Sequence, residues 1–395
     1  MIKLMMLIAL MNICPNIALS AVSSTNQGIQ VGAIHIYPVL DTKALYDNNI
    51  TRSESNSISS AQTFLSPSIT MLAGNVEHYL SLQYKLEYDK FWSSSIDTYT
   101  NHFIDVLLHR ELSNRGRLDI GINYSRSQDQ RGSTFTGIPT QLLGFIEPNR
   151  WHQAAVTAKF EYGSNGARMK LAAHGDYSIK RFENNRALTA SQDSNSSTFG
   201  GTLFFRTRSR FYALLDTTYG IQDYRQSASP LSSHELGLAG GLAWKASART
   251  SGTIKVGWLQ RRLDLSGQTN SNLAWDASIS WKPLSYSTWT ISTSFANTET
   301  LGATGSFVQS QQNQVSWSHA WDQVFSHAIG ISIGRNKYIG TARTDHLSDA
   351  HLSLIYAMQP WLDISTDYAY SRRASNKALS SYKQHLFSMA FHIVP

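Results

Sequence analysis

Residues 275–295 read WDASISWKPLSYSTWTISTSF, and this stretch decides the fold. Before Pro283 the side chains alternate, with Trp275, Ala277, Ile279 and Trp281 on one face and Asp276, Ser278, Ser280 and Lys282 on the other. After Pro283 the same alternation resumes, with Trp289, Ile291 and Phe295 on one face and Thr290, Ser292 and Ser294 on the other. A period of two residues predicts β-strands with one apolar and one polar face, joined here as a hairpin.

The same alternation recurs from Gly32 to the last residue, for example in residues 80–88, 118–124, 236–244 and 352–358. No convincing helical stretch interrupts it. The pattern predicts about 18 strands, many of them longer than the roughly 9 to 11 residues that cross a bilayer. We therefore expect an all-β chain.

The connections between these strands alternate in length. Short ones fall near residues 74–75, 114–116, 164–166, 208–209 and 359–360, and longer ones near 128–150, 183–195, 223–232 and 297–306. This pattern is typical of an outer-membrane barrel, which has tight periplasmic turns and longer external loops. An even number of strands places both termini in the periplasm.

A soluble β-sandwich is the alternative, but its apolar faces would have to form one dry core. Here nearly every strand has an apolar face, while the opposite faces carry Ser, Thr, Asn, Asp and Lys. A polar interior is favourable only around water. Trp244, Trp281, Trp289, Trp321 and Trp361 lie close to predicted short turns, as expected of an interfacial aromatic girdle. We therefore predict a transmembrane antiparallel up-and-down β-barrel.

The first residues differ from the rest. Lys3 precedes the apolar run 4–13, and Ala18-Leu19-Ser20 places small residues where a signal peptidase cuts. We predict a signal peptide over residues 1–20 and a barrel over 21–395, integral to the bacterial outer membrane. Cys14 is the only cysteine, so the mature chain would contain none. A closed sheet can stabilise such a chain through backbone hydrogen bonds.

Three segments resemble a known family. They are Pro38-Val39-Leu40, Tyr46-Asp47-Asn48-Asn49-Ile50 and Leu65-Ser66-Pro67-Ser68-Ile69, followed by the aromatic strand 79–91. The chain is similar here to the β-barrel porins encoded with exopolysaccharide synthesis genes in Gram-negative bacteria. The resemblance implies a role in carrying secreted polysaccharide across the outer membrane, and it brings no catalytic motif. The last strand has the alternating apolar residues that barrel-assembly machinery recognises, but the sequence ends in Pro395 rather than in an aromatic residue.

We therefore expect a passive conduit, or an accessory pore, for export of an exopolysaccharide, and no enzyme activity. The candidate pore-lining residues are Lys85, Glu87, Lys159, Glu161, Lys170, Asp176, Lys180, Lys245, Asp276 and Lys282. Their mixed charge argues against strong anion selectivity. A general diffusion porin for small solutes is one alternative, and a hydrolase at the barrel rim acting on lipid or polysaccharide is another.

The longest connection, residues 128–150, is rich in apolar residues and contains Gly and Pro for bends. We predict that it folds into the channel or across its mouth as a constriction, with candidate residues Arg131, Phe135, Phe145, Glu147 and Arg150. Unstructured loops of this length are usually functional or disordered. A cover over the outer rim, in contact with lipopolysaccharide, is the other interpretation.

No motif predicts a cofactor. Gly330-Ile331-Ser332-Ile333-Gly334 has the spacing of a nucleophile elbow but lies inside a predicted strand. Asp345, His346, Asp349 and His351 match no established metal site and are interpreted as a solvated loop. Arginines near strand ends predict contacts with the phosphates of lipid and lipopolysaccharide. We also expect periplasmic polysaccharide-export proteins as partners and, despite a net charge of +7, no nucleic acid.

Overall fold

The fold was analysed in a computed structural model that describes residues 28–131, 147–164, 166–208, 210–226, 229–245, 249–298 and 306–394. The predicted signal peptide and most of the predicted constriction loop, with Phe135 and Phe145, lie outside these ranges. Almost all of the described secondary structure is β. Within these ranges, three single-turn helices lie between strands, at Ser95–Asp97, Arg186–Thr189 and Ala190–Gln192. No helix in the described ranges is long and apolar enough to cross a membrane.

The part of the chain that the structure describes contains nineteen strands. They are β1 (Ile29–Val31), β2 (Ile34–Asp47), β3 (Ser60–Gly74), β4 (His78–Phe91), β5 (Tyr99–Ser113), β6 (Gly116–Gln128), β7 (Arg150–Tyr162), β8 (Met169–Phe182), β9 (Ser194–Arg208), β10 (Phe211–Tyr224), β11 (Ser233–Lys245), β12 (Thr250–Leu263), β13 (Thr269–Leu284), β14 (Ser287–Thr298), β15 (Phe307–Ala320), β16 (Phe325–Ile339), β17 (Thr344–Gln359), β18 (Leu362–Ser375) and β19 (Tyr382–Ile393).

The sheet closes into a barrel. Each strand from β2 to β19 is antiparallel to the next, and β19 pairs with β2 from Leu386 opposite Asp47 to Ile393 opposite Leu40. The barrel therefore has 18 strands, which confirms the predicted fold. The three-residue strand β1, which the sequence pattern did not predict, forms a hairpin with the start of β2.

The two ends of the barrel differ. The short-turn end carries connections 75–77, 114–115, 163–168, 209–210, 246–249, 285–286, 321–324 and 360–361. The long-loop end carries 48–59, 92–98, 129–149, 183–193, 225–232, 264–268, 299–306, 340–343 and 376–381. Gly74, at the first of the short turns, has a φ of 115°, and a Cβ there would overlap the carbonyl oxygen of His78. Each connection at the long-loop end is longer than its neighbours at the short-turn end, except that 340–343 and 321–324 are equally long, so the predicted alternation of lengths is general but not strict.

The outer face is apolar along the middle of the strands. Ile331 is 58% exposed and Ile291 is 53% exposed, as expected of side chains that contact lipid. Trp281, Trp321 and Trp361 are exposed at the short-turn end, where an aromatic girdle belongs. The pattern of apolar residues outward and polar residues inward follows directly from the alternation in the sequence.

The packed interior lies mainly at the long-loop end. Most of the buried large apolar residues lie near that end of their strands, among them Phe91, Trp151, Phe182, Leu263, Phe307, Tyr338 and Tyr382. Buried polar residues of the loops accompany them, including Asn49, Thr51, Asp129 and Arg131. Protein therefore packs inside the barrel at the long-loop end, and the polar inner wall lies beneath this packed layer.

Candidate functional site

The inner wall has two chemically different sides. The first, which we call the hydroxyl arc, consists of the inward residues of β14 to β16. For example, Ser292, Gln314 and Ser332 lie side by side on the three strands and all face inward. Every inward position of these strands carries a hydroxyl, an amide, a small residue or, at the long-loop end, Val308 and Tyr338. The hydroxyl arc therefore has no formal charge within the described ranges.

The second side, the charged arc, consists of the inward residues of β4 to β8. Lys85 and Glu87 are joined by a Nζ–Oε1 distance of 2.8 Å. Glu161 accepts from Lys159 at 2.5 Å and from Arg117 at 2.8 Å. Because Lys85, Lys159 and Arg117 each lie next to a carboxylate, their positive potential is cancelled locally.

Nine of the ten predicted pore-lining residues share the inward register. Lys170 lies over the ring of Tyr212 at 5.1 Å, while Lys245 and Asp276 are exposed. Lys282 lies at the irregularity in pairing between Trp281 and Leu284. A role of these residues in conduction stays a prediction.

Lys180 occupies a different environment at the long-loop end. Its Nζ lies 4.2 Å from the ring centre of Trp151 and 5.0 Å from that of Phe182. Trp151 donates from Nε1 to Oδ1 of Asp129 at 2.8 Å. Burial raises the pKa of Asp129, while the charge of Lys180 and the hydrogen bond from Trp151 act in the opposite direction. This cluster fixes the first residue of connection 129–149 against the inside of the barrel.

Arg131 anchors the same connection to its neighbour. The guanidinium donates from Nε to Oδ1 of Asp97 at 2.7 Å, and its Nη2 contacts the other carboxylate oxygen and Ser94 Oγ. Both charged side chains are buried. Of the other constriction candidates, Glu147 and Arg150 are exposed and 3.4 Å apart. The described start of the loop is thus buried, Glu147 is exposed, and the last residue of the loop, Asn149, is buried again.

The ends of β14 and β15 also fold into the barrel, and the sequence pattern does not predict this. Pairing between β13 and β14 ends at Trp275 opposite Phe295, although both strands continue towards the long-loop end. Beyond that point, β14 and β15 lean across the inner wall of β11 to β13. Asn297 donates to Glu235 at 3.0 Å, and Gln309 donates to Asn270 at 3.1 Å. We call residues 296–298 and 306–309 the infolded end.

The infolded end is packed as well as hydrogen-bonded. Phe307 is 2% exposed, and the guanidinium carbon of Arg261 lies 5.4 Å from the centre of its ring. The signal in the sequence was weak: Asn297 and Gln309 are polar at positions where the alternation predicts lipid contact. The infolded end narrows the same mouth that the buried start of connection 129–149 enters.

The predicted solvated loop around Asp345 is wrong. Asp345 lies within β17 and is fully buried, accepting from Arg343 Nε at 2.9 Å and from the hydroxyl of Tyr338 at 3.2 Å. Asp349 and His351 also face inward on β17, whereas His346 faces outward. Among the residues that the structure describes, no cluster of three or more potential ligands could hold a metal ion.

Ser332 lies in the middle of β16, as the sequence predicts, and its hydroxyl is 3.2 Å from Asp349 Oδ2. A nucleophile elbow requires a sharp turn from strand to helix, which a mid-strand serine does not have. The hydroxyl therefore belongs to the polar wall.

A closed 18-strand barrel with an apolar outer band, an aromatic girdle and a polar interior is an integral outer-membrane barrel of the porin type. Residues 24–393 match the family described as "Putative beta-barrel porin 2", and the chain belongs to that family. No sequence among curated proteins matches the chain.

Solved structures give the same fold. OpdK of Pseudomonas aeruginosa, crystallised with vanillate, is similar with a TM-score of 0.51 at 11% identity, over 91% of this chain and 99% of OpdK. A mutant of the ferric enterobactin receptor PfeA from the same organism also has a TM-score of 0.51, at 10% identity over 93% of this chain and 81% of the receptor. At these identities the likeness concerns the fold alone. Fold and family favour a channel over an enzyme.

Proposed function

We propose that the barrel is a passive conduit for a secreted polysaccharide. The observation that supports this most is the hydroxyl arc, a continuous uncharged wall of hydroxyl and amide groups across β14 to β16. Such groups both donate and accept hydrogen bonds, so they can exchange partners with sugar hydroxyls as a chain slides past. A wall of fixed unpaired charges would instead hold an ionic solute at discrete points.

Aromatic rings on the opposite side complement the hydroxyl arc. Tyr79 stacks on His109 with ring centres 4.9 Å apart, and Phe103 lies under the ammonium of Lys85 at 4.6 Å. The apolar C–H faces of pyranose rings pack on aromatic surfaces, while their hydroxyls remain free to bond elsewhere. The interior therefore offers both kinds of contact that an extended sugar chain makes.

The two ends of the barrel suggest a direction. The mouth narrowed by Arg131, Phe307 and their neighbours would face outside, and the wider short-turn end would face the periplasm together with both termini. Periplasmic polysaccharide-export proteins could then deliver the polymer to the wide end. No nucleotide-binding motif occurs in the sequence, so the driving force would come from such partners.

A cysteine block tests the proposal. In a Cys14→Ser background, Ser278→Cys places a thiol on the inward face of β13, and Ala277→Cys places one on the outward face next to it. A bulky thiol reagent should lower surface polysaccharide in the Ser278→Cys strain alone, and deletion of the gene should lower it further.

Uptake of small solutes should be measured in the same strains. If the block abolishes solute uptake and leaves surface polysaccharide at the wild-type level, the barrel is a general diffusion porin and polysaccharide export is rejected. Equal effects of the reagent on the inward and outward variants would show that the assigned faces are wrong.

A further inference from the structure

The outer face of β16 to β19 carries five basic side chains at its long-loop end: Arg335, Lys337, His346, Arg372 and Lys383. All five are exposed. They lie directly above exposed apolar residues of the same strands, such as Ile333 and Phe387. We call these five residues the cationic patch, and it lies where the hydrocarbon region ends.

The cationic patch places basic residues side by side, and Arg372 and Lys383 form a pair of like charges. Arg372 is directly opposite Lys383 on the neighbouring strand, and Arg335 is directly opposite His346. Directly opposed side chains have Cβ atoms only about 5 Å apart, and like charges in such pairs destabilise a sheet. A negatively charged group bound to the patch would remove this repulsion.

Within the described part of the chain, none of these five side chains forms an ion pair with a carboxylate. From residue 306 to the end, the acidic residues of the chain are Asp322, Asp345, Asp349, Asp363 and Asp367. Asp322 lies in a short turn at the other end, and the remaining four face inward in the strand register. The described outer face of β16 to β19 therefore carries cations without carboxylates.

The other side of the barrel provides an internal comparison. Arg126 is directly opposite His152 on the outer face of β6 and β7, also at the long-loop end. There Glu183 neutralises the pair, accepting from Arg126 at 3.0 and 2.9 Å and lying 3.3 Å from His152 Nδ1. On this side of the barrel a carboxylate of the chain thus pairs with the opposed basic residues, whereas the cationic patch has no such described ion pair.

We propose that the cationic patch binds the phosphate groups of one outer-leaflet lipid, the lipid A moiety of lipopolysaccharide. The charge, the exposed position at the edge of the apolar band and the apolar side chains below match a headgroup with phosphates above acyl chains. Guanidinium groups bind phosphate in a bidentate manner, which suits Arg335 and Arg372. This proposal does not depend on which solute passes through the barrel.

The test compares the Arg372→Gln/Lys383→Gln variant with wild type in three kinds of phosphatidylcholine nanodisc: without lipid A, with lipid A, and with dephosphorylated lipid A. Lysine-to-glutamine changes at Lys245 and Lys282, at the short-turn end, provide a control with the same change in net charge. Retention of lipid A should fall about 30-fold in the patch variant only, in a salt-dependent manner.

The thermal midpoint of unfolding provides a second readout, because the difference in stability between wild type and the patch variant should reverse when lipid A is added. Without lipid A, the patch variant should be at least as stable as wild type, because one repulsive pair has been removed. With lipid A, wild type should be the more stable of the two. Equal retention of lipid A by both proteins, or equal retention of the dephosphorylated lipid by wild type, would overturn the proposal. Displacement of lipid A by a soluble anionic polysaccharide at the same charge concentration would do so as well, because it would assign the patch to the polymer.

Discussion

Asn297 on β14 donates a hydrogen bond of 3.0 Å to Glu235 on β11, although β12 and β13 separate the two strands in the sheet. Glu235 shares the inward face with Arg261, so the bond passes through the interior of the barrel. It is possible because β14 leaves β13 after Phe295. The barrel mouth is therefore narrowed by a strand end as well as by loops.

The first prediction concerns Phe307, the deeply buried aromatic residue of the infolded end. Replacing it with Ala should destabilise the infolded end by about 3 to 5 kcal/mol through lost burial and a cavity. Single-channel conductance in planar bilayers should then rise. Phe387→Ala is the control, because this outward side chain is 53% exposed and meets lipid. An unchanged conductance in a folded Phe307→Ala barrel would show that the infolded end lies outside the conduction path.

The second prediction concerns the two faces of β15. Val315 faces outward near the middle of the strand, and its neighbour Gln314 faces inward. Val315→Lys should cost about 2 to 4 kcal/mol, since it places a charge near the midplane of the bilayer. Gln314→Lys, in the aqueous interior, should cost less than about 0.5 kcal/mol. Urea titration of folding into lipid vesicles measures both, and similar losses would contradict the assigned faces.

The sequence alone predicts these two faces, because strict alternation around Val315 and Gln314 allows only one assignment once a side meets lipid. It does not predict the infolded end, because Asn297 and Gln309 are only two polar residues at outward positions, and the departure from β13 depends on contacts with β11. Nor does it predict the ion pair of Arg131 with Asp97, two residues that are 34 positions apart in the sequence and belong to different connections. Such contacts depend on how neighbouring loops pack, and a local pattern contains no information about that.

The third prediction concerns the pH response of connection 183–193. The hydrogen bonds from Arg126 hold the pKa of Glu183 below its ordinary value. Burial would raise the pKa of Asp193, but the hydrogen bonds from Arg186 and from the backbone of Phe182, together with the charges of Arg186 and Arg181, lower it overall. Both carboxylates thus stabilise the loop above their unfolded pKa values, and this contribution is lost as the pH falls through the lower folded values.

Hydrogen exchange, corrected for its intrinsic pH dependence, should therefore show connection 183–193 protected at neutral pH and loosened below about pH 4. The variant Glu183→Gln/Asp193→Asn should be less protected at neutral pH and should lose most of the pH dependence. If wild type and variant respond equally to acid, other groups control the loop.

The fourth prediction concerns the orientation of the barrel in the outer membrane. A protease site inserted after Ser266, in connection 264–268, should be cut on intact cells. One inserted after Val76, in connection 75–77, should be cut only after the outer membrane is permeabilised, although Val76 is 89% exposed. The opposite result would place the long-loop end in the periplasm and would remove the cationic patch from the outer leaflet.

The last prediction concerns the buried ion pair of Arg131 and Asp97. Arg131→Ala leaves the carboxylate of Asp97 buried without its counter-charge, which typically costs about 3 to 5 kcal/mol. Replacing both residues, as Arg131→Met/Asp97→Leu, should restore most of the stability, because two apolar side chains of similar volume remove the desolvated charge. Thermal unfolding in detergent of wild type, both single variants and the double variant gives the coupling energy of the pair.

Conductance distinguishes the two interpretations of connection 129–149 in the same set of variants. If the connection constricts the channel, Arg131→Ala releases its buried start and conductance should rise or fluctuate more, while the double variant should resemble wild type. If the connection covers the outer rim, Arg131→Ala should lose stability with no change in conductance, and the constriction would be rejected.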